Sequence, residues 1–226
     1  MAKVQPFLPV FWRTATGRIL ALALAAVFAA GPAAAQAPLR IVALGDSLTA
    51  GYGLPAESAF PARLEQALRS KGVAASIANA GVSGDTSSGG SARVDWSVPD
   101  GTDAVIVELG ANDALRGIDP AVTRKALDEI LARLKARRIA VLLCGMRAPP
   151  NMGPDYARAF DAIFPELAEK HGALLYPFFL DGVAADARLN QPDGIHPTAQ
   201  GVDVIVMRIM PRIEELIARA RALRGS

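Results

Sequence analysis

The sequence is poor in cysteine and histidine, and each shortage argues against a class of protein. Cys144 is the only cysteine among 226 residues, so no intrachain disulfide can form. It lies in the apolar run 139–144, where the thiol is expected to act as a small buried hydrophobe. The chain has 2 histidines, whereas hydrolases that use two metal ions normally need several. A disulfide scaffold is therefore excluded, and a metal site is disfavoured.

The sequence also lacks the motifs that mark several common enzyme classes. It contains no Walker pattern and no G-x-G-x-x-G after its first predicted strand, which argues against nucleotide binding. It contains no G-x-S-x-G, so the nucleophile turn of the α/β-hydrolase fold is absent. We find no internal repeat and no interdomain linker, and 51% of the residues are apolar. These features fit one domain with a substantial core.

Residues 1–35 have the order of a secretory signal peptide. Three basic residues precede the apolar run 19–30, and small alanines end the segment at Ala35. A retained membrane anchor is the alternative, but the run of 12 apolar residues is short for a transmembrane helix. We therefore expect cleavage near Ala35, a mature domain at 36–226 without a stable membrane span, and a periplasmic or secreted location.

Removal of this segment changes the charge of the protein. The precursor carries 24 Lys and Arg against 22 Asp and Glu, and the segment holds 3 basic and no acidic residues. The mature chain then has 21 basic against 22 acidic residues, a formal charge of −1. The basic balance belongs to the export signal, so nothing in it indicates a nucleic-acid partner.

The remaining chain alternates short apolar runs with amphipathic segments. The runs predict buried strands, and the segments, whose apolar residues recur at helical spacing, predict helices. Strands are predicted at 39–44, 73–78, 103–109, 139–143 and 174–176, and helices at 60–68, 120–137, 156–170 and from about 198. Residues 82–90 are predicted to be a loop rich in Ser and Gly. This alternation predicts an α/β fold with a parallel sheet between two layers of helices.

Polar motifs follow the predicted strands or precede the terminal helix. They are Asp46-Ser47, Asn79-x-Gly81, Gly110-x-Asn112-Asp113 and Asp193-x-x-His196. The loops at the carboxyl ends of parallel strands meet at one edge of the sheet, where ligands bind in open α/β folds. We therefore expect these motifs to form one site.

This set of side chains contains the parts of an acyl-transfer site. Ser47 is the candidate nucleophile, although Asp46 and Ser47 could also do no more than cap a helix. His196 is the candidate base, and Asp193 is placed to accept the proton of its Nδ1. The other histidine, His171, lies at a predicted helix end, where a structural role is expected.

Three donors are candidates for an oxyanion hole: the backbone N–H groups of Ser47 and Gly81 and the side-chain amide of Asn112. Asn79 and Asp113 are expected to tie loops together. Asp46, Asn112, Asp113 and His196 also resemble parts of a metallophosphoesterase site. We disfavour that alternative because only one histidine is available, and no metal is expected.

At this point the motifs resemble a known family. Gly45-Asp46-Ser47-Leu48, Gly81, Asn112 and His196 are similar to the four sequence blocks of the SGNH, or GDSL, hydrolases. The resemblance runs from about Leu39 into the terminal helix. It is closest to the bacterial periplasmic branch of thioesterase I/lysophospholipase L1 and related arylesterases. The stretches that carry it are 83–87, 107–117, 150–156 and 193–197.

The resemblance implies a flavodoxin-like α/β/α sandwich with a five-stranded parallel sheet and no cofactor. It implies Ser47 as nucleophile, His196 as base and Asp193 as its partner. The expected activity is hydrolysis of fatty-acyl or aryl esters, thioesters and lysophospholipids. Carbohydrate O-deacetylation with the same residues and non-catalytic binding of acyl lipids are the alternatives.

The sequence also makes predictions about the acyl pocket and the oligomeric state. The loops 82–90, 113–118 and 148–156 are expected to shape the pocket, with Leu115, Ile118 and Met152 as apolar contacts. Met152 stands where the family more often has Tyr. Nothing in the sequence demands more than a monomer.

Overall fold

Five parallel strands form one sheet in the computed structural model, which describes residues 1–3, 5 and 37–225. The strands are β1 (Leu39–Gly45), β2 (Ala75–Gly81), β3 (Ala104–Glu108), β4 (Ala140–Cys144) and β5 (Leu174–Tyr176). Their order is β2-β1-β3-β4-β5, the flavodoxin-like order. The predicted parallel sheet is confirmed. Apart from residues 1–3 and 5, the predicted signal segment lies outside the described residues.

Register places the ends of three neighbouring strands level with one another. Gly45 at the end of β1 pairs with Gly81 at the end of β2 and with Glu108 at the end of β3. The loops that follow these strands therefore leave the sheet side by side. Polar residues that are far apart in sequence are brought to this one edge.

Helices cover both faces of the sheet. One layer contains α2 (Phe60–Ser70) and α8 (Ala199–Arg224), which pack on each other, and α8 also packs on β4 and β5. The other layer contains α3 (Ser87–Ser97), α5 (Pro120–Ala136) and α7 (Ile163–His171). Three short helices lie at the loop edge or before α7, namely α1 (Ser47–Ala50), α4 (Ala111–Leu115) and α6 (Pro154–Asp161). The predicted three-layer arrangement is confirmed.

Helix α3 was not predicted, and it occupies part of the stretch expected to be a loop. Its sequence contains several Ser and Gly residues and has no apolar face, so neither propensity nor pattern favours a helix. Tertiary contacts explain it. Thr86 caps its first turn by accepting a hydrogen bond from the Gly89 N–H, and a Cβ on Gly90 would lie 2.3 Å from Leu109 Cδ1. Glycine here allows the helix to approach β3 closely.

The helix predicted at 156–170 is two helices, α6 and α7. Pro165 has no N–H with which to bond the carbonyl of Asp161, and α6 ends at Asp161. Cys144 on β4 is fully buried, and burial raises the pKa of its thiol well above the usual range. Within residues 37–225, none of the helices combines the length and apolarity that a bilayer crossing requires.

Candidate active site

The turn that carries Ser47 is formed by close packing around Gly45. A Cβ at Gly45 would lie 2.1 Å from Thr49 Oγ1 and 2.7 Å from the backbone oxygen of Glu108, so only glycine fits. Asp46 caps α1, because its Oδ1 accepts a hydrogen bond of 3.0 Å from the Leu48 N–H. The capping interpretation therefore holds for Asp46, while the hydroxyl of Ser47 is directed to another partner.

That partner is His196. Ser47 Oγ lies 2.9 Å from His196 Nε2, and His196 Nδ1 lies 2.7 Å from Asp193 Oδ2. The hydrogen bond from His196 lowers the pKa of Asp193 to about 2, so this carboxylate is charged at neutral pH. An ionised carboxylate only accepts hydrogen bonds, which places the imidazole proton on Nδ1. Nε2 is then free to accept the hydroxyl proton of Ser47.

A small antiparallel hairpin holds the loop of His196 in place. Asn190 and Pro197 form a β-bridge, and the Gln191 N–H donates to the His196 carbonyl at 2.7 Å. At the tip, Asp193 Oδ1 accepts from the N–H groups of Ile195 at 3.0 Å and His196 at 3.1 Å. Asp193 therefore fixes both the backbone turn and the imidazole ring.

Two of the three predicted oxyanion donors are available in this arrangement. The Ser47 N–H makes no hydrogen bond within residues 37–225, as expected in the first turn of a helix. Asn112 Nδ2 donates to Asp46 Oδ2 at 3.0 Å, which fixes the amide and leaves its second hydrogen free. Asp46 thus connects the Ser47 turn to Asn112.

The third predicted donor, Gly81, differs from expectation. Its N–H donates to Asn79 Oδ1 at 3.0 Å and is not free in this structure. Gly84, three residues later, makes no backbone N–H hydrogen bond within the described residues, and its carbonyl accepts from the Arg116 guanidinium at 2.7 Å. Gly84 is therefore a candidate donor that the sequence analysis missed, although its Ser-Gly-Asp context, between a strand and a helix, was a usable signal.

Asp113 and the second histidine, His171, have structural partners, as predicted. Asp113 is buried and accepts from Ser87 N at 2.8 Å, Ser87 Oγ at 2.5 Å and Thr123 Oγ1 at 3.0 Å. His171 Nε2 lies 2.5 Å from Asp128 Oδ1, away from Ser47. Both residues join helices of one layer.

A second carboxyl group lies buried beneath the Ser47 turn. Glu108 Oε2 accepts from Thr49 Oγ1 at 2.7 Å and from the Asp46 N–H at 3.4 Å, while Oε1 has no partner among the described residues. Burial, with the nearby charge of Asp46, raises the pKa of Glu108 well above 4.5. Burial likewise raises the pKa of Asp46 to about 6. Because two neighbouring buried carboxyl groups do not readily ionise together, the protonated form of Glu108 is favoured.

A cavity of about 200 Å³ opens beside His196. Its walls are largely apolar and include Leu48, Leu115, Met146, Phe178, Leu180 and Ile195, with Arg147 at the side. Leu115 thus lies where it was predicted, but Ile118 and Met152 are not lining residues. The Ile118 carbonyl instead accepts from Tyr156 Oη at 2.9 Å, and Met152 Cε lies beside Gly117. The segments around Gly117 and Met152 therefore contact each other and do not line the cavity.

Metal ions in proteins are held mainly by His, Cys, Asp and Glu side chains that lie close together. Within residues 37–225, no three His, Cys, Asp or Glu side chains form a group that could hold a metal ion.

Comparison with known proteins identifies the family. The model of the GDSL-like Lipase/Acylhydrolase family matches residues 43–204, which contain the Ser47 turn, Asn112 and the Asp193–His196 loop. The chain belongs to this family. The resemblance noted in the sequence is thereby confirmed, and this GDSL hydrolase is an enzyme that hydrolyses esters.

The relatives of this GDSL hydrolase include proteins named as esterases and thioesterases. An arylesterase of Vibrio mimicus is 37% identical over 188 residues, 83% of this chain and 90% of the arylesterase. Thioesterase 1/protease 1/lysophospholipase L1 of Escherichia coli is 39% identical over 184 residues, 81% of this chain and 87% of that protein. The crystal structure of AlinE4, an SGNH-hydrolase family esterase, is 50% identical with a TM-score of 0.67, covering 79% of this chain and 96% of AlinE4.

Proposed function

We propose that this GDSL hydrolase is an exported serine esterase that forms an acyl-enzyme on Ser47. The observation that carries the proposal is the continuous chain of contacts from Ser47 Oγ to His196 Nε2 at 2.9 Å and from His196 Nδ1 to Asp193 at 2.7 Å. Nucleophile, base and orienting carboxylate are the three parts that acyl transfer to a hydroxyl requires.

Acylation begins when Ser47 Oγ attacks the acyl carbon and His196 Nε2 takes the hydroxyl proton. Asp193 stabilises the imidazolium that forms. The oxygen of the tetrahedral intermediate accepts hydrogen bonds from the Ser47 N–H and Asn112 Nδ2, and we propose Gly84 in place of Gly81 as the third donor. Collapse breaks the bond to the alcohol or thiol, which leaves with the proton from His196. Water then repeats the sequence and releases the acid.

The substrates we propose are carboxyl esters and thioesters with an apolar acyl group, including fatty-acyl and aryl esters and lysophospholipids. The cavity beside His196 supports this class, since its walls are mostly aliphatic and aromatic carbon. The names of the arylesterase and thioesterase relatives support it as well. The signal-like residues 1–35 support the proposed export, and N-terminal sequencing of protein recovered outside the cytoplasm should begin at Gln36.

The proposal is tested by hydrolysis of p-nitrophenyl esters. Ser47→Ala should lower kcat by about 10⁴-fold or more, and EDTA should leave the wild-type rate unchanged. The matched control is Ser88→Ala, because Ser88 is exposed and makes no side-chain hydrogen bond among the described residues. An organophosphonate should add one covalent group, and peptide mapping should place it on Ser47. Activity that survives Ser47→Ala but is lost with EDTA would overturn the serine mechanism.

A further inference from the structure

Tyr52 lies against the proposed base, and neither the family motifs nor the acyl-transfer mechanism uses it. The ring centroids of Tyr52 and His196 are 4.5 Å apart, and the two ring planes are inclined by 33°. The Tyr52 hydroxyl makes no hydrogen bond within residues 37–225, and the residue is 52% exposed. Its contact with His196 is therefore made through the aromatic ring alone.

The backbone of Tyr52 is tied to the hairpin that carries His196. Gln191 Nε2 donates to the Tyr52 carbonyl at 2.8 Å and to the Pro197 carbonyl at 3.0 Å. A Cβ on Gly53 would lie 2.4 Å from Gln191 Oε1, so the two loops are in direct contact here. The Gln191 side chain thus joins the loop that follows the nucleophile to the loop that holds the base. Tyr52 is held against the imidazole by two independent features, its ring contact and this bridge.

The face of an aromatic ring carries partial negative charge and attracts a cation more strongly than a neutral ring. His196 is neutral when substrate binds and becomes an imidazolium in the transition state, as the mechanism proposed above requires. A stabilising contact that strengthens in the transition state raises kcat.

We propose that Tyr52 is a positioning residue that holds the imidazole of His196 between Asp193 and Ser47 and stabilises its charged form. The proposal rests on the proposed serine mechanism. Other charged or titratable groups near His196 are Asp193 on its own loop, Asp46 on the Ser47 turn and Arg147 in the lining of the same cavity.

Three substitutions test whether the aromatic face of Tyr52, its hydroxyl group or its apolar volume is responsible. Tyr52→Phe keeps the aromatic face, and we expect kcat within about twofold of wild type. Tyr52→Leu keeps an apolar side chain without the face, and we expect kcat to fall about tenfold with little change in KM. Trp96→Leu is the control: Trp96 lies near the C-terminal end of α3 and is 72% exposed. This substitution should have no effect on kcat or KM.

The pH profile distinguishes this role from a loss of folding. The acidic limb of kcat/KM reports the pKa of the free base. Since the ring favours the imidazolium, Tyr52→Leu should move this limb to lower pH by roughly half a unit to one unit, whereas Tyr52→Phe should leave it in place. Unchanged kcat and an unchanged limb in Tyr52→Leu would overturn the proposal for Tyr52. If Ser47→Ala were still active, the serine mechanism itself would fail, which is a different result.

Discussion

At the scale of single residues, the site depends on carboxyl groups in three different states. Asp193 is exposed enough to stay ionised, and His196 lowers its pKa to about 2. Asp46 is buried, and its pKa is raised to about 6. Glu108 is buried more deeply still, and its pKa lies well above 4.5. Only Asp193 can serve as a permanent negative charge beside the imidazole, while Glu108 acts as a neutral acid that supports the Ser47 turn.

Glu108→Gln tests whether this buried carboxyl is neutral. A carboxyl whose pKa is raised on folding adds stability below its unfolded value, near 4.5, and that stability is lost as the pH rises through the folded value. Glutamine cannot ionise and can still accept from Thr49 Oγ1. We expect the free energy of unfolding of wild type, measured with urea, to fall relative to Glu108→Gln by more than about 1 kcal/mol between about pH 5 and about pH 8.

Glu108→Gln should also leave kcat for a short-chain ester close to the wild-type value near neutral pH. If the difference in unfolding free energy between the two proteins stays constant across that range, Glu108 does not change its ionisation on folding. A large loss of kcat in Glu108→Gln would instead mean that the charge itself supports the reaction.

At the scale of elements, Arg93 of α3 joins the ends of two strands next to the site. Its guanidinium donates to the Gly45 carbonyl at 2.8 Å, to the Ala80 carbonyl at 2.8 Å and to Asp85 at 2.7 Å. The side chain is buried, so removal of Arg93 would leave Asp85 without its ion pair and would take one hydrogen bond from each carbonyl, although the Gly45 carbonyl would still accept from the Val82 N–H at 3.0 Å. Helix α3 therefore fixes the edge of the sheet from which Ser47 projects.

Arg93→Met should destabilise the protein more than the loss of an ordinary ion pair would. Removal of Arg93 leaves the largely buried Asp85 charge without its ion-pair partner and takes one hydrogen bond from each of the two carbonyl groups, which costs about 3 kcal/mol or more. The control is Arg158→Met, because Arg158 pairs with Asp155 at the surface and such pairs contribute less than about 1 kcal/mol. Urea unfolding of both variants measures the two costs, and equal small losses would contradict the role given to Arg93.

At the scale of the whole molecule, loops from different strands combine to form the apolar cavity beside His196. Leu48 follows β1, Leu115 follows β3, Phe178 follows β5 and Ile195 belongs to the hairpin. The cavity volume is about 200 Å³, which is below the roughly 300 Å³ at which common ligand pockets begin. We therefore expect it to favour short and medium acyl chains over long ones.

We predict that kcat/KM for p-nitrophenyl esters is highest for short and medium acyl chains and falls for long chains. Phe178→Ala should shift the optimum to longer chains, because it removes part of the wall that Phe178 and Arg147 form with a cation–ring distance of 4.8 Å. The profile from acetyl to palmitoyl measures both. An optimum at palmitoyl in wild type, or one unmoved in Phe178→Ala, would show that the chain lies elsewhere.

The sequence predicted the sheet because its central strands are buried on both faces and appear as nearly continuous apolar runs, as at 104–108. It could not predict α3, because that helix depends on contacts of Arg93 and Gly90 and not on its own pattern. The Ser47, Asp193 and His196 contacts follow from motifs at one sheet edge. Whether Gly81 or Gly84 has a free N–H depends on the Asn79 side chain, which spacing does not reveal.

The burial of Cys144 has a practical consequence for labelling. The chain has no other cysteine, and this thiol is fully covered on β4 with a raised pKa, so alkylating reagents should not reach it in the folded protein. A cysteine introduced at an exposed position such as Ser88 would then be the single reactive thiol. Spin labels or fluorophores could be attached there in stoichiometric yield without first removing the native residue.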